Sequence, residues 1–247
     1  MRKGFLKKLA AVVLTVVCTA GLSVPALAAG WKQDNKGWWY ETEDGGYLAN
    51  TWWQDQDGMW YVFDQNGYIY TNTYRMIDGV LYPFLSNGMW AGTTFADYGQ
   101  GVWTGNTYAN PWSGVSVTVP EGAVFSYDLD AIMLSGSFIQ EFMLTLPGGL
   151  DGQITLTYHD INAYPEITDG QYTSIAAISL AEAGLQITGS QQVKLNGKVY
   201  TKVSSTISGA IFADCYFRRV GHYMEIFLTS YSLGDKAAID SVMATIR

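Results

Sequence analysis

The chain has 247 residues, 48% of them apolar and 15% charged, which suits one sizeable folded domain beside a smaller module and excludes a disordered chain. Its formal charge is -8, and losing Arg2, Lys3, Lys7 and Lys8 with an N-terminal leader takes 14 basic residues to 10 against 22 acidic ones, about -12. A field of that sign repels phosphate backbones, so general nucleic-acid binding is excluded.

Residues 1–28 read as a secretory signal peptide. Four basic residues precede the apolar run Leu9 to Ala20, and Ala26-Leu27-Ala28 offers small residues for cleavage. Gly21, Ser23 and Pro25 break the run before it reaches membrane-spanning length, so no transmembrane span is expected after cleavage. Val17 is too large for a lipoprotein site at Cys18, and mature Cys215 has no partner for an internal disulfide.

From Gly30 to Gly92 the chain repeats itself and holds seven of its nine tryptophans. Trp31, Trp38-Trp39 and Gly46 recur as Trp53, Trp60-Tyr61 and Gly67, then as Tyr74, Leu81-Tyr82 and Gly88. Asp57-Gly58, Asp78-Gly79, Asn66-Gly67 and Asn87-Gly88 are tight-turn dipeptides, so each unit is expected to be a short aromatic hairpin. One hairpin cannot bury its rings alone; three must stack as a short β-solenoid.

Gly30-Trp31-Lys32-Gln33-Asp34-Asn35 with Trp38-Trp39-Tyr40, and Trp53-Gln54-Asp55 with Trp60-Tyr61-Val62-Phe63, resemble the choline-binding, or cell-wall-binding, repeats of Gram-positive surface proteins. The resemblance implies aromatic cages for a quaternary ammonium: Trp31, Trp38 and Tyr61 in one, Trp53, Trp60 and Tyr82 in the next. Ring faces attract a cation that cannot donate hydrogen bonds, at roughly 0.5 to 2 kcal/mol per contact. Less binding entropy, one such site falls near ~1 mM, so retention needs several sites on one polymer. The partner expected is therefore a wall polymer, either choline-bearing teichoic acid or a glycan stacked on the rings with Gln33, Gln54 and Asn35 alongside. The competing reading is that the tryptophans only fill the thin core between hairpins.

Residues 93–112 lack periodicity and read as a linker. From Ser113 to Arg247 the pattern is α+β. Val115 to Val119 and Ile154 to Tyr158 alternate, Val193 to Tyr200 folds about Asn196-Gly197, and Tyr172 to Ala183 and Asp235 to Ile246 carry helical spacing. The entry Asn110-Pro-Trp-Ser-Gly-Val-Ser-Val-Thr-Val-Pro120 and the element order after it resemble PsbP-like domains, which implies an α/β/α sandwich with an antiparallel sheet and no particular catalytic chemistry.

No catalytic residue, metal ligand or cofactor is assigned. A turn at Val220-Gly221 would set Phe217 opposite Met224 and Cys215 opposite Ile226, which makes Cys215 a buried small hydrophobe rather than a nucleophile. His159-Asp160 reads as a loop pair, and Arg218-Arg219 with Lys194, Lys198 and Lys202 as a solvated basic face. The expectation is a secreted, wall-attached, non-enzymatic surface protein. Its alternatives are a wall-localised hydrolase with its site in residues 113–247, or a secreted protein-protein adaptor.

Overall fold

Three consecutive hairpins open the computed structural model, which describes residues 29–134, 138–147 and 152–247; the signal peptide expected over residues 1–28 lies outside them. The hairpins are β1 (Gly30–Gln33) with β2 (Trp38–Glu41), β3 (Thr51–Gln54) with β4 (Trp60–Phe63), and β5 (Thr73–Ile77) with β6 (Val80–Phe84). Each unit reaches into the one before it. The Ile69 amide donates to Trp38 O at 3.0 Å, and the Trp90 amide donates to Trp60 O at 2.8 Å. Side chains tie the same junctions, with Tyr68 Oη donating to Asp34 at 2.7 Å and Trp31 Nε1 to Asp55 at 2.9 Å.

The recurring Gly88 is needed for close approach. Its φ is +85°, and a Cβ there would run into Ile69 Cδ1 of the preceding unit. Gly79 has the same left-handed backbone, φ +79°, with open space around it. Gly79→Ala should therefore cost about 1 kcal/mol from backbone strain, and Gly88→Ala about 2 to 3 kcal/mol from strain plus contact. Urea unfolding of the two variants checks the difference.

Residues 93–112 are not a spacer. They contain β7 (Val102–Thr104) and β8 (Thr107–Asn110), which join β9 (Val115–Thr118) in a three-stranded antiparallel sheet. Phe95, Tyr98 and Tyr108 from this stretch are all at most 4% exposed in the main core. Aromatics at irregular spacing give no periodic signal, and strands of three and four residues are too short to show one.

The larger sheet is antiparallel, in the order β10 (Val124–Ser126), β11 (Phe138–Thr145), β12 (Gln153–Asp160), β16 (Tyr223–Ser232), β15 (Ile211–Val220), β14 (Lys198–Ile207), β13 (Gln186–Leu195). Period-2 alternation gives it two apolar faces. On one, Leu144, Leu156, Tyr158 and Phe227 pack with the three-stranded sheet and with α3 (Lys236–Met243) through Ile239 and Val242. On the other, Cys215, Phe217 and Ile226 pack under α2 (Asp169–Glu182) through Tyr172, Ala176 and Leu180. A capping box between Thr168 and Gln171 starts α2, and Gly184, at φ +92°, ends it. A short helix, α1 (Leu129–Leu134), packs beside β11.

The β15–β16 turn differs from the expected one by its register. Val220 pairs with Tyr223, Phe217 with Ile226 and Cys215 with Leu228, so the loop is Gly221-His222. Gly221 takes φ +59° at the first loop position, where a β-branched Val220 would be strained. The slip is an even one, so Cys215 keeps its apolar face.

The third hairpin belongs to both parts of the molecule. One face of it, Tyr74 and Leu81, lies in the core of the C-terminal domain; Tyr74 Oη donates to Phe138 O at 3.3 Å. Ser86 and Asn72 add hydrogen bonds to Asp130 and to the Leu129 amide. Its departures from the aromatic repeat pattern thus follow from packing against the domain rather than against another hairpin.

Candidate functional site

Tyr82 and Phe84, on the other face of the third hairpin, turn toward Trp52. The Trp52 ring lies 5.0 Å from Tyr82, 5.9 Å from Phe84, 6.1 Å from Trp90 and 6.3 Å from Trp60. Trp60 is 39% exposed and, among the described residues, makes ring contact with Trp52 alone. The group is therefore centred on Trp52, which Trp60 and the Tyr82–Trp90 pair each contact, with no ring contact between Trp60 and that pair among the described residues.

Trp53 is not in this group. It pairs with Tyr61, which sets its side chain on the face opposite Trp52 and Trp60. There it meets Tyr40 at 4.4 Å and Trp31 at 5.5 Å as filling between the first two hairpins. The structure therefore does not bring the expected group Trp53, Trp60 and Tyr82 together; Trp52 takes the place of Trp53, and Trp90 joins Trp60 and Tyr82 around it. Loop parity is the cause. Trp31 to Trp38 and Trp53 to Trp60 are both seven apart, but the first hairpin turns through Asp34–Gly37 and the second through the odd-numbered loop Asp55–Met59. One added loop residue exchanges the faces of a pairing. A sequence reader could have found Trp52 by counting loop residues instead of tryptophan spacings; Trp90 shows itself only through its backbone bond to Trp60.

The first expected group is brought together in part. Trp31 and Tyr61 stand 4.8 Å apart in an edge-on pair, with buried Phe63 stacked on Trp31 at 5.9 Å, matching Trp52, Tyr82 and Phe84 one unit on. Trp38 is on the same hairpin face as Trp31 but is 40% exposed and makes no ring contact among the described residues. Ile69, not an aromatic, occupies the position that Trp90 holds in the next unit. Burial raises the Tyr61 phenol above its ordinary value, as do the nearby Asp55 and Asp57 carboxylates. The same carboxylates favour a cation beside these rings.

In the C-terminal domain His159 is not in a loop. It sits in β12, stacks on Phe138 at 4.2 Å and has Nδ1 2.8 Å from Tyr172 Oη. Burial lowers its pKa and favours the neutral imidazole. Cys215 is 5% exposed, and burial foremost, with Asp214 adjacent, pushes its thiol up to about 12. Arg218-Arg219 is not a free basic face either. Arg218 grips Glu225 with two bonds of 2.9 Å, Arg219 reaches Asp169 at 2.6 Å, and Lys202 reaches Asp214 at 2.9 Å.

These features define a stack of aromatic hairpins carrying ring clusters at the unit junctions, joined to a β-rich domain. Among solved structures, the chain is similar to the choline-binding domain of Spr1274 in Streptococcus pneumoniae, at 30% identity over 27% of this chain and 97% of that one, TM-score 0.25. It is also similar to the pneumococcal cell wall endolysin from phage Cp-1 complexed with choline, at 20% identity over 63% of this chain and 41% of that one, TM-score 0.25. A third likeness is to cyanobacterial PsbP from Synechocystis sp. PCC 6803, at 13% identity over 57% of this chain and 90% of that one, TM-score 0.40. Both resemblances read from the sequence thus recur among solved structures. The chain spans about two fifths of the endolysin's length. No protein-family model and no curated protein matches it. No helix of the described residues is long and apolar enough to cross a membrane.

Proposed function

We propose that the repeat module attaches an exported protein to a cell-wall polymer by holding a quaternary ammonium, such as choline, in the cage of Trp52, Trp60, Tyr82 and Trp90. The observation that carries this reading is that half-exposed Trp60 and the Tyr82–Trp90 pair each contact Trp52 with no ring contact between Trp60 and that pair. Rings that merely filled a core would touch one another around the group, as Trp31, Tyr40, Trp53 and Tyr61 largely do. A cation enclosed by three or four ring faces gains a few kcal/mol, roughly the ~1 mM regime, so the polymer must engage many copies of the protein or many of its own substituents.

On this reading the C-terminal domain is a PsbP-like sandwich with a non-enzymatic, accessory part. Support comes from the state of its polar groups. Cys215, with its thiol held at about 12, supplies no thiolate near neutral pH. The mature protein should be retarded on an immobilised tertiary-amine column at low salt and eluted by free choline. Elution in the void volume would end the choline reading; release by soluble glycan but not by choline would replace it with sugar stacking.

A further inference from the structure

Between α2 and the sheet lies a cleft of about 480 Å³. Both walls carry small side chains, Thr155 and Thr157 on β12 and Ala176 and Ser179 on α2. The rest of the lining is hydrocarbon and ring, and no Asp, Glu, Lys or Arg is part of it. This is the size of a ligand pocket rather than of a packing defect.

The polar groups are not spent on the protein. Among the described residues the Thr155, Thr157 and Ser179 hydroxyls and His159 Nε2 have no hydrogen-bond partner, although His159 is fixed by its Nδ1 contact to Tyr172 and by the Phe138 stack. Gln140 pairs with Thr157 on the same sheet face, is 8% exposed, and its Nε2 has no acceptor. The threonine, serine and histidine groups are open to a hydroxyl or carbonyl brought by a ligand, while among the described residues Gln140 Nε2 is the buried donor left unmet. At the mouth, Ile175 is 56% exposed and Leu228 37%, an apolar rim leading inward.

We infer that this cleft is a binding site for a neutral, largely hydrocarbon small molecule with one hydroxyl or carbonyl head, the head meeting the β12 threonines and His159 and the body lying between Ile226, Leu228 and Leu180. A charged ligand is disfavoured because its charge would be buried with no counter-charge in the lining.

The test titrates the mature chain, repeats included, with the neutral fluorophore N-phenyl-1-naphthylamine and then with 1-dodecanol as competitor. Saturable one-to-one binding reversed by the alcohol is expected. Ala176→Phe from the helix side and Thr155→Ile from the sheet side each fill the cleft and should weaken the fluorophore at least 10-fold. Two filling variants are used so that one that melts early leaves the other to decide. Thr157→Val keeps the shape and should weaken dodecanol about 3- to 10-fold while leaving the fluorophore unchanged. No saturable binding, or binding indifferent to the filling variants, overturns the proposal. So does binding that disappears with Trp52→Ala, which would put the dye among the repeat tryptophans.

Discussion

Trp52→Ala should abolish retention on an immobilised tertiary amine, while Trp53→Ala, one residue along, should leave measurable retention and lower the melting temperature of the repeat module. The two indoles differ in what they touch. Trp52 joins Trp60 to Tyr82 and Trp90, so its loss removes the ring they share and frees them to move. One ring face contributes roughly 0.5 to 2 kcal/mol, and unfixed rings lose preorganisation besides, so about a 10-fold loss is expected. From a starting point near ~1 mM, that is below what a column registers. Trp53 instead packs on Tyr40, Trp31 and Phe63, and removing it leaves a void among rings, a cost of about 2 to 4 kcal/mol. If Trp53→Ala proves the more damaging to binding, the cage is misassigned.

Arg218→Met should be the most destabilising single change in the C-terminal domain, about 3 to 5 kcal/mol, seen as a fall of roughly 10 °C in melting temperature. Glu225 is fully buried. Its carboxylate accepts two bonds from Arg218, one from Tyr158 at 2.9 Å and one from Tyr200 at 2.8 Å, while Arg218 also donates to Ser113 O at 2.9 Å. Taking away the guanidinium strands a buried carboxylate with two phenols that neutralise none of its charge. The double variant Arg218→Met, Glu225→Gln should recover a good part of the loss, since the amide carries no charge to strand. Equal melting of single and double variants would mean that the lost packing of Arg218, and not the charge, set the cost.

Two of this protein's hairpin turns are plainly written in its sequence. Asp78-Gly79 and Asn196-Gly197 both adopt positive φ at both residues, as tight hairpins demand, and the strands on either side follow. Cys215 was legible too, because alternation alone placed it on an apolar face. The cage was only half legible. Tryptophan spacing located Trp60 and Tyr82, but the facing of Trp52 and Trp53 depends on whether a loop has an even or odd number of residues, which spacing does not reveal. His159 and Arg218 were misjudged for a related reason. Their partners Tyr172 and Glu225 lie on elements whose contact or register had to be known first. The segment 93–112 was missed because its strands carry three and four residues, and its aromatics are committed to a core assembled from distant parts of the chain.

The third hairpin also bears on force. Leu81 and Tyr82 are consecutive residues of one strand; the first is locked in the domain core and the second packs its ring on Trp52. If the ring group holds a wall polymer as proposed, a tug on that polymer would pass from the ligand through a single peptide unit into the domain. On that reading attachment and domain share one load path, and a strain that opens the ring group also pulls on the domain's own packing.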